Sequence, residues 1–168
     1  MARTSGAGRW PTGRSEQRSL EDDGALDGSV KITYSGYEAI NRRFDARKMD
    51  EVARRHALED ELRGWIHRSS EVQLLNQPEW SHADPTLTAE FHVRVKEWTT
   101  VAGQRLLCPE GLFSDGDQSA FQSETRVHDL YFPFPRETRD SISIAIPNGY
   151  HIEALPAGKS KDLGFLTS

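Results

Sequence analysis

Residues 126–156 read RVHDLYFPFPRETRDSISIAIPNGYHIEALP, and this stretch decides the fold class. Ile142, Ile144 and Ile146 alternate with Ser141, Ser143 and Ala145, the period of two that gives a strand one buried face. Asn148-Gly149 then offers residues that tolerate positive φ, and Tyr150, Ile152 and Ala154 resume the alternation. The expected local structure is a hairpin. Upstream, Pro133 and Pro135 interrupt Tyr131, Phe132 and Phe134. Proline has no N–H to give to a ladder, which puts this aromatic segment at a sheet edge or at a bend between sheets. No nucleophile, metal-ligand cluster or phosphate loop stands out in the stretch, which reads as part of a sandwich and not as a catalyst.

Further upstream the same period recurs. Leu87, Ala89, Phe91, Val93 and Val95 alternate with Thr88, Glu90, His92, Arg94 and Lys96, giving one apolar and one charged face over a whole strand. Val30, Ile32 and Tyr34 predict a strand that ends at Gly36, and Val72 and Leu74 predict another. Val101 to Leu107, with Gly103 inside, reads as one further strand or a bulged one closed by Cys108-Pro109. Between these lies a helical segment. Asp50/Arg54, Glu51/Arg55 and Glu59/Arg63 pair acid with base four residues later, the favourable helical orientation. They predict one long helix over 48–66. Met49, Val52, Ala53 and Ala57 share one face of it and Leu58, Leu62, Trp65 and Ile66 nearly the opposite one, so its two ends are expected to meet different neighbours.

The bulk composition bounds the rest. A chain of 168 residues, 36% hydrophobic and 28% charged, with mean hydropathy -0.68, suits one domain with a modest core. Net charge is -5 and the pI is about 5.7, which disfavours a nucleic-acid partner. No run approaches the roughly 18 apolar residues of a membrane span. Met1 to Ser19 is rich in Arg, Ser, Gly and Thr without periodicity, and is expected to be a disordered basic tail. It lacks the apolar centre of a secretory signal. Residues 20–157 are expected to form the ordered module and 158–168 a C-terminal tail.

The order of GYEAINRR, ELRGWI, VQLLNQPEW, PTLTAEFHVRV, AGQRLLCPEGLF, FQSETR, DLYFPFP and DSISIAIPNGYHIEALP resembles the C-terminal region of bacterial transglutaminase-like proteins. In these a papain-like core is flanked by two domains of unknown function. The similarity covers about residues 20–157, and each motif alone is weakly specific. The resemblance implies a C-terminal β-sandwich accessory module. It carries over no catalytic residue, because in such proteins the core's Cys, His and Asp precede this region. It also implies a periplasmic or cell-envelope setting for a parent protein.

Cys108 is followed by His151 and Asp162 in the order of a thiol triad. A nucleophilic thiol of that type sits at a helix N-terminus, however, whereas Cys108 ends the apolar run Arg105-Leu106-Leu107. A cysteine-dependent acyl transferase is therefore the weakest reading, and a single cysteine also rules out an internal disulfide and a cysteine-rich zinc site. His56, His67, His82, His92, His128 and His151 lack the paired spacing of a metal site. Asp22/Asp23 and Asp115-Gly116-Asp117 suit turns, and Glu59/Asp60 suits charge pairing with Arg63. No catalytic residue, metal or cofactor is expected.

Aromatic residues give the one binding idea. Trp80, Tyr131, Phe132 and Phe134, with Trp98, form either core filling or an exposed interaction surface for a sugar or peptide. The resulting expectation is an α+β module, an antiparallel β-sandwich with one long helix near its N-terminal side. Its expected role is non-catalytic docking or scaffolding against a transglutaminase-like or protease-like core, in cis or in trans. The alternative is a carbohydrate- or peptide-binding sandwich that uses the aromatic edge.

Overall fold

Five apolar side chains on one face of a strand must find cover, and they organise the molecule. A computed structural model describes residues 10–66, 68–81, 85–109, 111–113, 136–155 and 157–158. In it Leu87, Ala89, Phe91, Val93 and Val95 are buried on β4 (Thr86–Val95), the strand that the alternation predicts. β4 lies between β3 (Ser70–Leu74) and β2 (Leu26–Ser35), antiparallel to both. β1 (Trp10–Leu20) pairs antiparallel with β2, and β7 (Arg136–Ala145) joins β1 in parallel. The five-stranded sheet thus runs β3-β4-β2-β1-β7 and is mostly antiparallel. Together with two helices it makes an α+β fold.

Two helices are present and not one: α2 (Glu51–Trp65) occupies the span expected to be helical, and α1 (Gly36–Ala46) precedes it. Asp50 separates them. Its backbone is extended and its carboxylate accepts from Ala53 N at 2.7 Å, an N-cap that restarts the helix. The side chain expected to pair with Arg54 therefore caps α2, while Arg54 Nε donates to Ala46 O at 2.8 Å across the break. Glu59 and Arg63 do pair, at 3.4 Å.

Cross-strand register sorts the inner face of the sheet into rows. One row reads Leu74, Phe91, Val30, Glu16, Ile142; the next reads Val72, Val93, Gly28, Arg18, Ile144; a third reads Ala89, Ile32, Arg14, Asp140. In each, apolar side chains give way to charge on β1 and then to β7. The core lies over the apolar end, where Ala39, Leu58, Leu62 and Ile66 from the helical region, and Trp98 and Leu112 beyond β4, close on β2, β3 and β4. Burial of each large apolar side chain there contributes about 1.5–3 kcal/mol. The opposite face is wet and carries surface pairs such as Lys31–Glu90 at 3.0 Å and Lys96–Glu71 at 2.8 Å. Gly28 lets β1 close on β2, since a Cβ there would stand 2.2 Å from Gln17 O and 2.8 Å from Arg18 Cα.

Three further expectations change. Residues 10–19, read from composition as part of an unstructured tail, form most of β1, because their partners are strands and not a hydrophobic face of their own. The stretch 101–107 is a two-stranded hairpin, β5 (Thr100–Ala102) and β6 (Arg105–Leu107), turned at Gly103 with φ +65°. β7 exists, but Tyr150–Leu155 form no strand against it. The turn there is closed by Tyr150 N to Pro147 O at 3.3 Å, and β7 takes β1 as its partner. The aromatic positions Tyr131, Phe132 and Phe134 lie outside the described residues.

Candidate functional site

The residues that chemistry singles out in the sequence are spread over the molecule. Cys108 is exposed, past the end of β6 and not at a helix N-terminus, and His151 is exposed beyond β7. His56 is exposed on α2, and His92 faces Asp27 on the wet side of the sheet at 3.2 Å. His67, His82, His128, Asp115, Asp117 and Asp162 lie outside the described residues. Asp23 accepts from Ala25 N at 2.9 Å in the β1–β2 turn, and Asp60 pairs with Arg63 at 2.5 Å. Among the described residues no three metal-capable side chains gather, and no helix is long and apolar enough to cross a membrane. Trp80 is half-buried against the core, with Arg54 Cζ 6.0 Å from its ring centroid. Trp98 is buried under Arg68, 5.8 Å from the centroid. Both described tryptophans of the aromatic set therefore pack, one wholly and one in part.

What the sequence reading missed is a charged row on the inner face of β1. Thr12, Arg14, Glu16, Arg18 and Leu20 are buried while Ser15, Gln17 and Ser19 are exposed. Arg14 is its hub. The guanidinium gives two parallel hydrogen bonds to Asp140 of β7, at 2.5 and 2.6 Å, the bidentate geometry that makes an arginine–carboxylate pair specific. Its other contacts are Phe113 at 4.4 Å and Trp65 at 5.4 Å, two rings that meet edge to face. One side chain thereby joins β7, the end of α2 and the chain beyond β6.

Beside it, Arg18 Nε donates to Glu16 Oε2 at 3.1 Å, and both side chains have no exposure. Among the described residues Glu16 Oε1 and both Nη atoms of Arg18 have no hydrogen-bond partner. Removal from water outweighs the attraction of Arg18 and raises the Glu16 carboxyl above its ordinary range. The same desolvation lowers Arg18 against the pull of Glu16. Period-two alternation of charge from Thr12 to Arg18 is the one sequence signal of this row, and no hydrophobicity scale responds to it.

A second network locks the helices to the sheet. The Tyr34 hydroxyl donates to Glu61 Oε2 at 3.2 Å, and Arg42 stacks 3.8 Å from the Tyr34 ring centroid. Arg42 also bonds Glu38, at 2.6 Å, and Glu61. Burial first, and Glu61 second, push the Tyr34 hydroxyl above its ordinary range.

Two apolar surfaces are more than a third exposed. On α1, Tyr37, Ile40 and Phe44 fall at helical spacing and are 48, 62 and 56% exposed, with Val52 of α2 at 64%. Along β7, Ile142 and Ile144, with Ile146 just after it, are 39, 37 and 42% exposed. At the opposite edge of the sheet Glu59 Oε1 accepts from Leu74 N at 2.9 Å and Arg63 Nη2 donates to Val72 O at 3.0 Å, so α2 satisfies two of the outward backbone groups of β3.

These features define an α+β domain whose conspicuous surfaces are apolar. Residues 104–167 match the model of DUF3858, described as a domain of unknown function with a solved structure. The match takes in β6, β7 and the segment between them. No curated protein and no solved structure matches the chain.

Proposed function

We propose that the chain is a non-catalytic accessory module that docks onto a transglutaminase-like or protease-like core domain, in cis or in trans. The exposed stripe of Tyr37, Ile40 and Phe44 on α1 carries this reading, because large apolar side chains aligned on one helix face favour a protein partner. The order of motifs from GYEAINRR to DSISIAIPNGYHIEALP, through its resemblance to transglutaminase-like proteins, supports the choice of partner. On this reading the half-buried Arg14–Asp140 clamp serves cohesion, holding β7 in the sheet. A β-sandwich is the finer architecture we propose for the whole module, and the isoleucines of β7, more than a third exposed, favour a second layer over them.

The test is titration calorimetry of the chain against the transglutaminase-like core domain encoded nearest to it. Binding is expected, with the dissociation constant raised at least about tenfold by Ile40→Asp and Phe44→Asp. A folded double variant that binds as the parent does overturns the α1 surface. Loss of binding by both proteins to the core, together with capture of a glycan, overturns docking itself and favours the carbohydrate reading.

A further inference from the structure

The apolar stripe of α1 carries a charge on its surface. The Lys48 ammonium lies 5.0 Å from the centroid of the Phe44 ring, and both side chains are exposed. Arg47, also exposed, follows Ile40 by seven residues and Phe44 by three, so the helical repeat sets it along the same stripe. Three carboxylates of this region have other tasks. Glu38 pairs with Arg42 at 2.6 Å, Asp50 caps α2 through Ala53 N at 2.7 Å, and Glu51 accepts from Gln77 Nε2 at 2.7 Å. Asp45 follows Asn41 by four and belongs to the other flank of α1. The C-terminal end of the stripe is therefore basic, in a chain whose net charge is -5.

A partner that packs on Phe44 also takes the Lys48 ammonium out of water, which is costly unless an opposite charge meets it. The shape of the stripe narrows the partner further. Tyr37, Ile40 and Phe44 cover two turns of one helix face, the footprint on which the apolar stripe of a second helix packs. Resting on the docking reading above, we infer that α1 receives an amphipathic helix of the partner whose apolar stripe is flanked by carboxylates, one of them set against Lys48.

An anionic lipid surface is the other chemistry that suits an apolar and basic stripe. It fits less well here. Asp45, Asp50 and Glu51 are all exposed within three residues of Lys48, and a flat anionic plane meets them together with the lysine, whereas a helix can place its carboxylate at Lys48 alone.

Two synthetic peptides of about 18 residues test the inference, both with Leu at i, i+3, i+4 and i+7, flanked in one by Glu and in the other by Lys. The Glu peptide is expected to bind the chain at least about tenfold tighter than the Lys peptide, against the pull of the net charge. Lys48→Glu is expected to reverse that order, and Ile40→Asp to weaken both peptides at least about tenfold. Equal binding of the two peptides, binding of neither, or an order that a folded Lys48→Glu leaves unchanged overturns the inference. So does saturable binding to phosphatidylserine vesicles in place of the Glu peptide, or a dimer of the chain that Phe44→Asp abolishes. Titration with the transglutaminase-like core separates this inference from the reading beneath it. A core that binds the parent chain and Lys48→Glu alike leaves docking standing and removes the acidic helix; a Glu peptide that binds where the core does not leaves the acidic helix standing and removes the core as its source.

Discussion

The two halves of one sheet are built on different principles. From β3 to β2 the inner face is apolar, with Ile32, Val30, Ala89, Phe91, Val93 and Val95 at zero exposure. From β1 to β7 the same rows carry Arg14, Glu16 and Arg18 and end on Asp140 and on two isoleucines that are more than a third exposed. The first half is held by burial, which is non-directional and tolerant of detail. The second adds to its backbone ladders a few charge-assisted bonds, which are directional and fail singly. A strand attached in that way keeps its apolar residues available to a partner.

Substitutions can break or sharpen that contrast. The largest expected effect is Phe91→Ala in the apolar half, a loss of about 3–5 kcal/mol in urea unfolding from the cavity it leaves. Arg18→Leu comes next, at about 3 kcal/mol, because it strands the buried Glu16 carboxylate. Adding Glu16→Leu to it is expected to restore stability to the parent level or above, since a buried ion pair is often replaceable by apolar packing. Failure of that rescue would mean that the pair supports the sheet in its own right. Asp50→Ala, which removes the cap of α2, is expected to cost about 1 kcal/mol and to leave β7 untouched.

The smallest expected effect is on pH dependence. Because desolvation raises Glu16 in the folded state, folding favours its protonated form. That contribution is full below the ordinary carboxylate range and is lost as pH rises through the raised folded value. Glu16→Gln should flatten this component in unfolding curves measured from pH 4 to 8; an unchanged slope would assign the dependence to other carboxylates.

How much was legible follows the same division. β4, β2 and β3 announce themselves because their buried positions are Leu, Val, Ile and Phe, and α2 because its acid–base pairs repeat at four. The break before α2 hides in Asp50, whose carboxylate could serve a pair or a cap with equal sequence support. β1 is illegible by hydrophobicity because its inward positions are Thr12, Arg14, Glu16 and Arg18. β7 reads as a strand, but its partner lies 126 residues away between Arg14 and Asp140, and the Asn148-Gly149 turn argues for a local hairpin that does not form. The binding idea placed on aromatics has Trp80 largely in packing, while α1, with its exposed Ile40 and Phe44, lies before the span expected to be helical.

Amide hydrogen exchange on the monomeric chain and its Arg14→Ala variant tests the division most directly. Loss of the Arg14–Asp140 bonds is expected to speed exchange across Thr138–Ala145, with a global cost of about 1–2 kcal/mol after discounting for the partial exposure of Asp140. Leu87–Val95 should keep its protection apart from that global change. Equal acceleration in both strands, or none in β7, would contradict a sheet whose halves are held by separate means.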